Sequence, residues 1–234
     1  MKRKRKRGMV LALTTLLLLE TPIGAVTGPQ DRSSRTEEIE WTWEVRPAHT
    51  DPKLPNVLLL GDSITRNYYP EVQRELAATA NVYLLATSAS VGDPRLLRQL
   101  ADYATAVPIT FSVVHFNNGM HGWAYSEAEY RESFPSLIAA LHALASKAVL
   151  VWATTTPVKV DSEPGLTNAR IQARNSIAQS FVTEDGIGVD DQHGLMAEHP
   201  DLYLDGVHYN EQGSTLQGMQ AARTIRRLLL HSEQ

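Results

Sequence analysis

The feature that most constrains this chain is a series of short, mainly apolar runs spaced along it, each followed by a helix-length segment. Runs at 57–60, 82–86, 110–116 and 148–153 read as strands, with a shorter one at 188–189. Segments 70–80, 94–103, 126–145, 167–181 and 211–230 read as helices. Ser126 is placed to cap the third of these, with Glu129 completing a capping box. Strands without polar alternation are buried on both faces, and their alternation with helices means a parallel sheet covered on both sides. In such a sheet the site lies at the carboxyl ends of the strands.

Ahead of this rhythm come two other kinds of sequence. Lys2 to Arg7 are all basic, an apolar stretch follows to Leu19, and Glu20 and Pro22 end it. This reads as a signal peptide over 1–27, with small residues at 24–27 for cleavage and a retained membrane anchor as the alternative. Export to a secreted or periplasmic destination follows. Taking away the six basic residues and Glu20 turns the formal charge of −4 into −9, with 16 basic and 25 acidic side chains. An acidic protein is poorly suited to neutralising nucleic-acid phosphates, which argues against that class of partner. There is no cysteine, so neither a disulfide framework nor a lipidated cysteine is available.

Residues 28–55 read as a lead-in containing an edge strand. Ile39, Trp41, Trp43 and Val45 alternate with polar residues, giving one apolar face. That face either pins the lead-in to the domain, the favoured reading, or forms an aromatic surface for carbohydrate. The main domain is expected over 56–234.

Four segments carry reactive residue types. Gly61-Asp62-Ser63-Ile64 follows the first core run, where a tight turn would present the Ser63 hydroxyl; it also fits a plain helix cap. Asp205-Gly206-Val207-His208 precedes the last helix. There a carboxylate three residues before an imidazole can orient it in a turn, or form an inert surface pair. Phe116-Asn117-Asn118-Gly119-Met120-His121 follows the third run, where an Asn amide could donate to an oxyanion or simply make a turn. Ser90-Val91-Gly92-Asp93 offers backbone N–H groups in a glycine turn. The parallel sheet would gather all four.

Taken together, these segments resemble the SGNH hydrolases, also called GDSL esterases and lipases, from about Asn56 onward. Gly61-Asp62-Ser63-Ile64 is similar to the family's nucleophile block and Asp205-x-x-His208 to its C-terminal block. Gly92 matches its oxyanion glycine and Asn118 its oxyanion asparagine. The third block departs from the usual Gly-x-Asn-Asp, so Asn117 is the alternative to Asn118, and Ser88 and Ser90 stand where an Asn usually precedes the glycine.

The resemblance implies a flavodoxin-like three-layer α/β/α sandwich and ester hydrolysis without metal or cofactor. Ser63 would be nucleophile, His208 base and Asp205 its support, with Ser63, Gly92 and Asn118 as the oxyanion donors. Short loops leave no room for a lipase lid, which favours a small acyl, such as acetyl, on a small-molecule or carbohydrate alcohol. A lipase or acyltransferase would use the same residues. Two readings from other classes are a silent carbohydrate-binding protein on this fold and a metal phosphoesterase using Asp62, Asp205 and histidines. For the latter, His115, His121, His193 and His199 lack a zinc-like spacing and fit structural roles better. Tyr68, Tyr69, Trp123 and Tyr125 are placed either to line the pocket or to fill the core, and Arg170, Arg174 and Asn175 to pack or meet solvent.

Overall fold

The computed structural model describes residues 33–162 and 165–231; the expected signal peptide lies outside them. Six strands form one sheet: β1 (Thr42–Val45), β2 (Asn56–Gly61), β3 (Asn81–Thr87), β4 (Val113–Phe116), β5 (Val149–Ala153) and β6 (Gly188–Asp190). Their order is β1-β3-β2-β4-β5-β6, with every pair parallel except β1 against β3. The helices are α1 (Ser63–Leu76), α2 (Pro94–Ala106), α3 (Glu127–Leu144), α4 (Asn168–Glu184), α5 (Gln192–Ala197) and α6 (Glu211–His231).

Successive strand residues point to opposite faces, and each face has its own core. Val57 and Leu59 pack with Val72 and Leu76 of α1 and Ala222 and Ile225 of α6. Leu58 and Leu60 pack instead with residues of α2, α3 and α4, among them Leu100, Phe134 and Ile177. The expected three-layer sandwich is therefore present. Among the described residues no helix is long and apolar enough to cross a membrane.

The strand order fixes where a site can form. Setting aside β1, the chain moves outward from β2 to β3 and then returns to continue on the other side of β2 through β4. Loops leaving β2 and β4 part in opposite directions, and the crevice between them is where doubly wound sheets bind ligands. Ser63 follows β2 and Asn117 and Asn118 follow β4.

Three expectations need correction. The first helix starts at Ser63, not near Pro70, which lies inside it. Asp62 caps its N-terminus by accepting from Ile64 N–H, and that local bond outweighs the preference of proline for a first turn. The face shared by Ile39, Trp41, Trp43 and Val45 is only half covered: Trp41 and Val45 pack against the core, and the other two do not. Ile39 precedes the strand and is 72% exposed, and Trp43 is 52% exposed. Being on the sheet's edge, β1 meets only the rim of the α1 layer. Finally, α5 was not anticipated: six residues are too few to show a helical period.

Candidate active site

Ser63 is the first residue of α1, one residue beyond a turn that needs glycine. A Cβ on Gly61 would lie 2.7 Å from the Cβ of Thr65, so only glycine lets the chain turn this sharply from strand to helix. The Ser63 side chain is partly exposed and its Oγ lies 2.7 Å from His208 Nε2.

His208 comes from the turn before α6. Asp205 Oδ2 lies 2.8 Å from its Nδ1, while Asp205 Oδ1 accepts the N–H groups of Val207 and His208, each at 2.8 Å. Burial alone would raise the Asp205 carboxyl, but these backbone N–H groups and the imidazole outweigh it and hold it at about 2. An ionised Asp205 fixes the proton on Nδ1, which leaves the Nε2 lone pair facing Ser63. Asn210, two residues on, accepts from Gly213 N–H and so anchors the turn to the start of α6.

The two asparagines after β4 have different duties. Asn117 Nδ2 donates to Ala153 O at 2.7 Å and to Thr155 Oγ1 at 3.0 Å, so both its amide protons are committed to the end of β5. Asn118 Nδ2 donates once, to Ala89 O at 2.9 Å, and its Oδ1 accepts Val91 N–H at 2.7 Å. One Asn118 amide proton is thus left over, and its side chain braces the turn that leads to Gly92. Gly92 has φ of +100°, and a Cβ there would lie 2.9 Å from the Tyr125 ring. The N–H groups of Ser63 and Gly92 meet no acceptor among the described residues.

The profile of the GDSL-like lipase/acylhydrolase family matches residues 59–216, a span that runs from β2 through the Asp205–His208 turn. The chain belongs to the GDSL-like lipase/acylhydrolase family. Solved structures agree in fold. A lipolytic G-D-S-L family protein from Veillonella parvula is 20% identical over 74% of this chain and 98% of its own, with a TM-score of 0.57. A lipase/acylhydrolase from Enterococcus faecalis is 22% identical over 74% and 96%, with a TM-score of 0.60. A carbohydrate esterase family 3 protein from Talaromyces cellulolyticus is 16% identical over 76% and 99%, also at 0.60. No curated protein matched the sequence.

Around the site of this GDSL-like hydrolase stand arginines whose sequence position suggested only packing or solvent contact. Arg174 is 1% exposed, and its guanidinium donates to the carbonyls of Gly119, His121, Gly122 and Tyr125. It is neither a solvent contact nor mere packing; it is the internal pin of the loop after β4. Burial lowers its pKa, yet a guanidinium starts so high that it stays charged. The signal was available: Ile171, Arg174, Ile177 and Ala178 share one helical face, which places the arginine among core residues. Arg170 adds bonds to the Trp123 and Tyr125 carbonyls.

The lead-in is tied to the same loops. Ser34 donates to Asp93, Arg35 pairs with Glu129 and its N–H reaches the Tyr125 hydroxyl, and Glu40 accepts from Arg95 and Ser88. Glu37 bonds His121 Nδ1 and Gly122 N–H, each at 2.8 Å. Of the other histidines, His115 is fully buried with its Nε2 2.8 Å from Asp190, on the sheet face covered by α1, where its ring meets Tyr68 edge-on. Tyr68, Tyr69 and Tyr125 are core residues, while Trp123 is half-buried beneath the Arg170 and Arg174 guanidinium groups.

Proposed function

We propose that this GDSL-like hydrolase is a secreted serine esterase that removes short acyl groups, acetyl foremost, from carbohydrate or other small alcohols. The observation that carries the reading is the unbroken hydrogen-bonded line from Asp205 through His208 to Ser63 Oγ, with links of 2.8 and 2.7 Å. Nucleophile and base within hydrogen-bond reach, with the base oriented by a third group, is the arrangement that activates a serine.

The steps use only the chain's own groups and water. His208 Nε2 takes the Ser63 proton as Oγ bonds to the ester carbonyl carbon. The resulting oxyanion is met by the N–H groups of Ser63 and Gly92 and the spare amide proton of Asn118. His208 returns the proton to the departing alcohol as the carbon–oxygen ester bond breaks, leaving an acyl-serine. Water then attacks with His208 again as base, the carbon–Oγ bond breaks, and the proton goes back to Ser63.

The links from β2 into α1 and from β3 into α2 are short, which supports a small acyl group. The basic and apolar run over residues 1–27 supports export with removal of that segment. The test is covalent labelling by a fluorophosphonate followed by mass spectrometry. One adduct, on the peptide carrying Ser63, is expected, and none in His208→Ala; labelling elsewhere, or equal labelling without His208, contradicts the mechanism. Mass spectrometry of the exported protein should also place its N-terminus near residue 28.

A further inference from the structure

We propose that Trp41, Arg66 and Trp43 form a subsite for a sugar ring that bears a carboxylate, on the alcohol side of the ester. The proposal rests on the esterase reading, since it gives the alcohol's chemistry to the same site.

Placement comes first. Trp43 pairs with Ala86, and Ala86 pairs with Gly61, so the three residues form one row across β1, β3 and β2. Adjacent strands lie about 4.8 Å apart, which puts the Trp43 backbone about 10 Å from Gly61, two residues short of Ser63. Arg66 is three residues beyond Ser63 on α1, on the same helical face. Its guanidinium carbon lies 5.4 Å from the Trp41 ring centroid and 5.2 Å from that of Trp43. Trp41 in turn meets the His121 ring edge-on at 5.9 Å, so the ledge continues into the loop that carries Asn118.

The chemistry of the ledge is unfinished in two ways. Trp43 leaves half of a large indole in water at the rim of a site, where an amphipathic ring is suited to receive the C–H face of a sugar. Arg66 is partly buried and its N–H donates to Asp62 O, yet among the described residues its guanidinium has neither a salt-bridge nor a hydrogen-bond partner. Carboxylates of the site and the lead-in are committed elsewhere: Asp62 caps α1, Glu37 holds His121, Glu40 holds Arg95, and Asp205 holds His208. The two indoles support the cation through their faces without neutralising it. A guanidinium presents paired N–H groups, which match a carboxylate in bidentate geometry. A hydroxyl could accept from it but would leave the charge unmatched.

The test uses the full chain and its Arg66→Gln and Trp43→Ala variants. Catalytic efficiency is measured on acetylated galacturonate oligomers, acetylated xylose oligomers and para-nitrophenyl acetate. The wild type should favour the galacturonate ester over the neutral one, and each variant should lower the ratio of galacturonate ester to para-nitrophenyl acetate by about tenfold or more. Equal preference for the two oligomers, or variants that lower both members of the ratio by one factor, would overturn the subsite. Calorimetric binding of unacetylated galacturonate oligomers separates the two readings. Binding that needs Arg66, in a protein without turnover of any ester, would sink the esterase and keep the subsite; robust para-nitrophenyl acetate turnover without such binding would do the reverse.

Discussion

The carboxylate of Glu37 lies 2.8 Å from Nδ1 of His121, a contact that spans 84 residues of sequence and ties the lead-in to the loop after β4. Both groups respond to it. Burial pulls the His121 imidazole down, but the Glu37 hydrogen bond and the negative field of Asp62, Glu37 and Glu40 together push it above its ordinary value. Burial pushes Glu37 up, and its bonds to His121 and Gly122 N–H bring it below its ordinary value.

The sign of the pH dependence follows from these directions. The raised His121 contributes stability fully below about 6.5, and that is lost as pH rises through its folded value. The depressed Glu37 contributes above about 4.5, and that is lost as pH falls through its folded value. Attachment of the lead-in should therefore be tightest between these limits. Hydrogen-exchange protection of Gly122 N–H, corrected for intrinsic rates, should peak there and flatten in Glu37→Gln. Protection that climbs steadily above pH 8 would contradict the pairing.

Asn117 and Asn118 should separate cleanly. In the proposed mechanism Asn118 donates to the developing oxyanion, so in Asn118→Ala turnover should drop by about two to three powers of ten. Asn117→Ala removes two bonds to the end of β5 and should cost about 1–3 kcal/mol of stability, with a much smaller effect on turnover. Paired kinetics and denaturant melts of the two variants decide the assignment; the reverse pattern would move the donor to Asn117.

Arg174→Met would remove four hydrogen bonds from the loop after β4 and strand the carbonyls of Gly119 and His121, while Gly122 O keeps the Tyr125 N–H and Tyr125 O keeps Arg170. A loss of about 2–5 kcal/mol is expected, with reduced turnover even well below the melting temperature. An unchanged melting temperature would mean that the loop is held by other contacts.

The layers of this fold were legible because buried parallel strands must be apolar throughout, and the runs at Val57–Leu60 and Val82–Ala86 are nothing else. Ser63, Asp205 and His208 stood out because reactive residue types at strand ends and tight turns are few. What could not be read depended on distant partners. Asn117 and Asn118 differ only in which carbonyls and hydroxyls their amides reach. Pro70 suggested a helix start that the Asp62 cap had already supplied seven residues earlier. The lead-in's grip on the site runs through Arg35, Glu37 and Glu40, whose partners lie 48 to 94 residues away. Trp43 looked like an inward residue by its period of two, and only its edge position leaves it open.

Hydrolysis of para-nitrophenyl acetate by the full chain and by Ser63→Ala tests the central claim most directly. The account predicts steady turnover by the wild type and a loss of three powers of ten or more in the variant, with an unchanged melting temperature. Wild-type turnover surviving in Ser63→Ala would show that another group carries the chemistry.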